Sequence, residues 1–460
     1  MGMHRYEYGT IPWQTWRAND DDREAIANRQ RRRIDETVTF ARRQSRFYKH
    51  RYEELPEDAA FGDLPPVTKP ELMANLEAVV TDTAITETEL EAFLADEENV
   101  GRLFLGEYPV WTTSGTTGEP GVFLQDRRAL TVLLSIGFFR MVGAMLSREM
   151  LRKYVRSGGR RAMLVATGGH YAGVAGTELG RRVAPSLAAE RLRVFSVQRP
   201  LAELVADLNE FRPAMLGGYA SAHKLLAREQ REGRLDIDPA LVVASGEAIS
   251  DAEKAEVASA FDCGVREHYG ATEFVAVAFE CEAGALHANT DWCVLEPVDS
   301  DYRPVPPGEP SETTLLTNLA NRVQPIVRYD LGDSITLSAE PCSCGNLFPT
   351  MEIEGRTDDL LALRDADGKS IPVFPLAIGS VVEEVAGVYR YQVIQTTPAA
   401  IRVRFETTKA WDSDDVWPRI ESALTTFLGS HGLSNVAVER DPEVPQREAS
   451  GKFRQVVSEL

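Results

Sequence analysis

The run WTTSGTTGEPG at 111–121 crowds small hydroxyl side chains and glycines into one loop. Thr113, Ser114, Thr116 and Thr117 offer hydroxyl donors, while Gly115 and Gly118 let successive backbone N–H groups turn into one concavity, a construction suited to holding phosphate. It is not the GxxxxGK[ST] loop, because Glu119 and Pro120 follow Gly118 and no lysine stands where the terminal phosphates would need one. Taken alone, it reads more readily as a Ser/Thr/Gly-rich surface turn. A second constellation is Cys281, His287, Cys342 and Cys344. Three thiolates and one imidazole satisfy tetrahedral Zn²⁺, and a closed set of four ligands makes the metal structural. The C-x-C pair is tighter than the common zinc spacing, and buried unligated cysteines are the alternative. Cys263 and Cys293 read as core thiols.

Further motifs follow in order: SGEAIS at 245–250, HYGATEF at 268–274, RYDLGD at 328–333, GRTDD at 355–359 and SGKFR at 450–454. Together with the glycine loop, their order and spacing resemble the adenylate-forming superfamily of acyl- and aryl-coenzyme A synthetases, luciferases and peptide-synthetase adenylation domains. SRFYKHRYEEL at 45–55 and LPPVTKPELMAN at 64–75 are similar to the opening segment of its phenylacetate-coenzyme A ligase branch. The resemblance covers essentially the whole chain.

It implies an AMP-forming ligase that uses ATP and Mg²⁺ to activate a carboxylic acid, with an aromatic acid as the expected class, and passes the acyl group to coenzyme A. Tyr269 and Gly270 would lie against adenine, the Thr272 hydroxyl on the α-phosphate and Glu273 on Mg²⁺; a hard cation does prefer carboxylate oxygen. Ser245, Gly246 and Glu247 would lie beside the adenine. Asp333 would accept from the ribose hydroxyls, as an ionised carboxylate can from two donors, with Arg356 assisting. Asp358 would be the hinge. Lys452 would carry an ammonium to the developing charge and withdraw when its loop swings away. His170, Tyr171, Gly218 and Tyr219 follow two strand-like runs and would line the acyl pocket, although His170 also reads as an ordinary loop histidine.

Two departures from the resembled pattern bear on the chemistry. Glu119 replaces a lysine common in relatives, which removes one cation from the phosphate loop. LLALRDADGKSIPVFP after GRTDD replaces a tighter turn, which leaves the acceptor open. Two rivals therefore stand beside the ligase: an enzyme that gives the acyl group to an amine or another non-thiol nucleophile, and a nucleotide-binding scaffold without turnover.

The elements that must position these residues are those of an α/β protein. Strand-like runs RAMLVAT, PAMLGGY, LVVASGE and GVREHY alternate with helical segments, GATEF included, which implies mainly parallel, covered sheets with ligands beyond the strands' carboxyl ends. Ser250 and Glu253 predict a capping box. The pattern at 21–54 is helical, and Arg31, Arg32 and Arg33 read as part of a solvated face. The stretch 129–151 carries too many polar residues for a bilayer crossing and reads as a buried helix. After 355 the texture becomes α+β, with strands in YRYQVIQ, AIRVRFET and VAVERD around a helix at 415–428. This predicts a large adenylation domain at 1–355, opening with a helical segment at 1–80, and a small mobile lid at 356–460.

Composition sets the outer bounds. With 460 residues, 43% hydrophobic and 26% charged, the chain is an ordinary globular one. A net charge of −20 argues against nucleic acid as a partner, since phosphate neutralisation needs surplus Lys and Arg. Five cysteines and no apolar leader predict a cytoplasmic protein without a disulfide framework or a membrane partner. The oligomeric state is open, a homodimer included.

Overall fold

The computed structural model describes residues 4–113, 121–142, 148–184, 189–338, 340–353, 361–408, 411–446 and 454–460. The chain forms two compact units, each assembled from separate stretches: Met1–Trp111, Val122–Leu151 and Arg266–Gly355 in the first, Thr112–Gly121, Arg152–Val265 and Arg356–Leu460 in the second.

In the first unit an antiparallel run of strands is ordered Ile335–Ser338, Thr350–Ile353, Leu286–Ala288, Phe274–Glu280, Gly264–Ala271, the last belonging to this unit from Arg266 onward. Helix Arg127–Ile136 buries Ala129, Val132 and Ile136 against Val277, Ile335 and Met351 of these strands. Its start follows from Asp126, whose side chain accepts from the Ala129 N–H and satisfies an orphan donor of the first turn. The amino-terminal helical pattern is not one helix. Ser45 ends Arg23–Gln44 with its N–H on the Ala41 carbonyl, and its hydroxyl opens Arg46–Arg51 by accepting from the Tyr48 N–H.

In the second unit four strands are parallel, ordered Leu241–Ser245, Met215–Tyr219, Arg161–Val165, Leu192–Ser196. Helices Ala172–Val183, Leu201–Phe211, Ala220–Arg231 and Asp251–Phe261 connect or follow them, as parallel pairing requires crossovers. The predicted capping box on Ser250 is present. The carboxy-terminal stretch is α+β. A hairpin of Leu361–Arg364 and Ser370–Val373 leads to helix Pro375–Glu383. A four-stranded sheet follows, ordered Ala437–Arg440, Ala400–Thr407, Val388–Thr397, Val456–Ser458. Helix Ser413–Ser430 packs Ile420 and Leu424 with Val393, Ile401 and Val403 of that sheet in one apolar cluster.

Three sequence expectations are corrected. Arg33 is not on a solvated face: it is buried, stacks 3.3 Å from the Trp292 ring centroid and donates to the Asp291 carbonyl. Periodicity cannot separate a stacked guanidinium from a solvated one. Burial pulls the Arg33 guanidinium down to about 9, opposed by the Asp291 charge. The stretch 129–151 is not one buried helix. Helix Arg127–Ile136 passes into a π-helical segment, Gly137–Val142, and Leu134 and Phe138 point outward at 75% and 66% exposure. The alternation of strand and helix also stops at GVREHY. GATEF turns instead into the antiparallel strand Phe274–Glu280.

Candidate active site

In the second unit the sequence-predicted residues cluster where parallel strands end. Strand Arg161–Val165 runs out into His170 and Tyr171, Met215–Tyr219 ends on Gly218 and Tyr219, and Leu241–Ser245 ends on Ser245, Gly246 and Glu247. Their packing explains the residue types. Gly218 has φ +125°, and a Cβ there would lie 2.0 Å from the Leu164 carbonyl oxygen, so the strands can approach only with glycine. The Tyr219 hydroxyl accepts from the Ala166 N–H at 3.3 Å, and the Ser245 hydroxyl donates to the Gly218 carbonyl at 3.5 Å. Both Glu247 carboxylate oxygens accept from Ser221, from its N–H at 2.7 Å and its hydroxyl at 2.9 Å, which caps the amino end of helix Ala220–Arg231. Burial holds the His170 imidazole below its ordinary range, so the ring is neutral at pH 7.

The same loop meets the glycine loop at its base. The Thr112 N–H donates to the His170 carbonyl at 2.9 Å, and Thr112 bridges to Tyr171 as in a parallel pair. Thr113 and Gly121 pinch the loop closed: the Thr113 N–H donates to the Gly121 carbonyl at 2.9 Å, and the Gly121 N–H donates to Thr113 Oγ1 at 2.8 Å. Ser114, Gly115, Thr116, Thr117 and Gly118 lie outside the described residues.

In the first unit HYGATEF forms a hairpin. Ala271 pairs with Phe274, which leaves Thr272 and Glu273 as its two turn residues. Gly270 sits at a register shift, where a Cβ would fall 2.1 Å from the Val275 carbonyl oxygen. Tyr269 and Asp333 come together, the tyrosine hydroxyl donating to Asp333 Oδ2 at 2.6 Å. Asp330 anchors the loop between them and the sheet: it accepts from the Tyr302 hydroxyl at 2.9 Å, the Gly332 N–H at 3.0 Å and the Thr313 hydroxyl. The Thr314 hydroxyl holds the Asp333 carbonyl at 2.8 Å.

Glu273 is 6% exposed. Burial pushes its carboxyl above the usual range, opposed by a backbone N–H, the Tyr329 hydroxyl and the Lys69 charge. A carboxylate whose charge is disfavoured by burial gains from a hard cation, so Glu273 fits Mg²⁺, which needs only one or two protein carboxylates and keeps several waters. Lys69 and Tyr329 were missed by sequence reasoning. Both lie inside quoted motifs, LPPVTKPELMAN and RYDLGD, and that is the only signal they carry.

The four cysteine and histidine ligands also converge in the first unit, their ligand atoms all within 4.8 Å of one another. A tetrahedral site with Zn–S bonds of about 2.3 Å sets its sulfurs roughly 3.8 Å apart. Cys281 Sγ and Cys342 Sγ lie 3.8 Å apart, and Cys344 Sγ is 3.4 Å from His287 Nε2. His287 Nδ1 donates to the Phe348 carbonyl at 2.8 Å, which leaves Nε2 as the metal-facing nitrogen. Burial pushes the Cys344 thiol up to about 12. Burial acts the same way on Cys342, but the Cys344 N–H and neighbouring thiols outweigh it and bring that thiol below its ordinary value. The donor set fits Zn²⁺. Arg356, Asp358 and Lys452 lie outside the described residues.

No family model matches the chain. Over 343 residues, 72% of this chain and 70% of the relative, it is 26% identical to the phenylacetate-coenzyme A ligase of Thermus thermophilus. Over 165 residues, 35% of each chain, it is 26% identical to protein CapK of Staphylococcus aureus. Among solved structures it is similar to 2-hydroxyisobutyryl-CoA ligase in complex with 2-HIB-AMP and CoA in the thioesterification state, with a TM-score of 0.59, 20% identity, and coverage of 96% of this chain and 91% of that one. An open conformation of the same ligase gives a TM-score of 0.52 over 94% and 90%, at 20% identity. At such identity the solved structures establish the fold. No helix among the described residues is long and apolar enough to cross a membrane.

Proposed function

We propose that this chain, an adenylate-forming protein of the phenylacetate-coenzyme A ligase-like branch, is an AMP-forming ligase that activates a carboxylic acid and transfers it to coenzyme A. The observation that carries the reading is the backbone bond from Thr112 to His170. It ties the loop suited to phosphate to the loop suited to an acyl group, and adenylation needs those two ligands in contact.

In the first half-reaction a carboxylate oxygen attacks the α-phosphorus of ATP, the bond to the bridging oxygen breaks, and pyrophosphate leaves. An anion approaches a polyanion, so the residues' work is to supply positive charge and fixed donors before the chemistry begins. Glu273 would hold Mg²⁺, which supplies charge neutralisation at the phosphates. Lys69, already close enough to bias the Glu273 carboxyl, would add an ammonium beside it. Thr272 would donate to the α-phosphate from the hairpin turn, and Tyr269 and Asp333 would receive the nucleoside as one hydrogen-bonded pair. In the second half-reaction the thiolate of coenzyme A attacks the acyl carbon and AMP leaves.

His170, Tyr171, Gly218 and Tyr219 would wall the acyl site; a neutral imidazole and two phenols suit an aromatic acid. Arg356 would assist Asp333, and Asp358 would be the hinge of a lid at 356–460. Cys281, His287, Cys342 and Cys344 would hold a structural Zn²⁺.

Lys452 would complete the charge at the α-phosphate. Replacing it with alanine is expected to slow acid-dependent pyrophosphate exchange by about 100-fold or more. Thioester formation from preformed acyl-adenylate should stay within a fewfold of the parent. A wild-type protein that exchanges no pyrophosphate with any acid in an aryl panel, or a variant that loses both steps equally, contradicts the reading.

A further inference from the structure

Two adjacent carboxylates finish the helix Pro375–Glu383: Glu383 is its last residue and Glu384 its C-cap. The carboxyl end of a helix carries partial negative charge, so acids there work against its dipole and no basic residue stands in the last turn to offset them. Both acids are held by specific donors. The Tyr171 hydroxyl donates to Glu384 Oε1 at 3.1 Å, and a Cβ on Gly168 would lie 3.4 Å from that same oxygen. Glu383 Oε1 accepts from the Tyr391 hydroxyl at 2.8 Å and from Gln455 Nε2 at 3.2 Å. Glu383 therefore faces the carboxy-terminal module's own strands, while Glu384 reaches out to the loop at 168–171.

Tyr171 is suited to such a contact. Burial, then the Glu384 charge, hold its phenol far above the ordinary range, so it keeps its proton and donates at any working pH. A phenol on a carboxylate is a charge-assisted bond, stronger than a neutral pair yet broken without covalent change. On its other side Tyr171 bridges to Thr112. Tyr171 thus joins the base of the glycine loop through its backbone and the carboxy-terminal module through its side chain.

We propose that Glu384 is a positioning residue, which holds Tyr171 and the loop at 168–171 so that the acyl site is complete only when the carboxy-terminal module is docked as it is here. The inference rests on the reading of that loop as the wall of the acyl site. A helix-terminal acid that serves only its own module would have no reason to meet a phenol on this loop.

The test uses the full chain with Glu384→Ala, Glu384→Gln and Tyr171→Phe, read by hydrogen exchange without ligands and by acid-dependent pyrophosphate exchange. Glu384→Ala should speed exchange of amides at 167–172 by about tenfold, the weight of one charge-assisted bond, and leave the strand Ala400–Thr407 unchanged. It should raise KM for the acid about tenfold with KM for ATP within about twofold. Glu384→Gln, which keeps an acceptor, should recover most of both effects, and the double variant with Tyr171→Phe should be no worse than the poorer single one. Unchanged exchange at 167–172 overturns the proposal, and so does a parallel rise of both KM values, which marks general structural damage. If the wild type turns over no acid at all, the ligase reading fails by itself, and the amide comparison still decides whether Glu384 holds the loop.

Discussion

Tyr269 and Asp333 are separated by sixty-four positions, yet their side chains meet at 2.6 Å. A tyrosine expected against adenine and an aspartate expected at the ribose thus restrain each other before any nucleotide arrives. A pre-set pair loses less freedom on binding than two independent side chains. Tyr269→Phe keeps the ring and removes only the donor. It should raise KM for ATP about tenfold, the weight of one hydrogen bond to a charged group, with KM for the acid unmoved in pyrophosphate exchange. Equal shifts in both constants would mean that the hydroxyl supports the hairpin generally. At this scale the sequence is readable where a motif fixes residue type and spacing together: Tyr269, Thr272 and Glu273 stand on one hairpin within five consecutive positions. Lys69 was not readable, because its effect on Glu273 crosses some two hundred residues of chain and a lysine in a Pro-rich stretch has no distinguishing pattern.

Elements turn those residues to one place, and their legibility depends on whether the decisive interaction is local. Helix Asp251–Phe261 could be read from its capping box, whose partners are three residues apart. The parallel strands could be read as well, since each is a short apolar run followed by a helical segment. The antiparallel strands of the first unit were harder. Leu286–Ala288 and Thr350–Ile353 are short, and their pairing joins residues more than sixty positions apart. The helix break at Ser45 was also hidden, because a serine inside a polar helical pattern reads as one more exposed position. Gly270 is the element-scale residue with the sharpest consequence. Its neighbour across the bulge is backbone, the Val275 carbonyl, which cannot rotate aside as a side chain would. Gly270→Ala should destabilise the protein by about 3 kcal/mol, seen as a lower urea midpoint with an unchanged slope. A midpoint within experimental error of the parent would show that the hairpin can shift by an ångström without penalty, and that Thr272 and Glu273 are held less firmly than the register implies.

At the scale of the whole molecule, the two units are interleaved in sequence, with changes of unit at 111/112, 121/122, 151/152, 265/266 and 355/356. Chain order alone carries no mark of this, because spatial grouping follows sheet pairing and not adjacency along the chain. The cysteine cluster has its place in the architecture of the first unit. Cys281 lies just past strand Phe274–Glu280 and His287 within Leu286–Ala288, while Cys342 and Cys344 come from the connection between Ile335–Ser338 and Thr350–Ile353. A metal there would staple two hairpin ends of one sheet. The turn holding Thr272 and Glu273 is at the other end of strand Phe274–Glu280, which spans about 20 Å at roughly 3.3 Å per residue. Zinc held there would be about 20 Å from that turn and would act on it through the strand alone. Stoichiometric zinc is therefore expected by elemental analysis of protein washed with a weak chelator. Stripping it with a strong chelator should lower the melting temperature by at least about 5 °C. At a temperature where the stripped protein is still folded, both half-reactions should keep their ratio. Loss of adenylation alone, or of thioester transfer alone, would give the cluster a part in the chemistry that its position opposes, and absence of zinc from the washed protein would leave four unligated side chains packed at metal-ligand spacing.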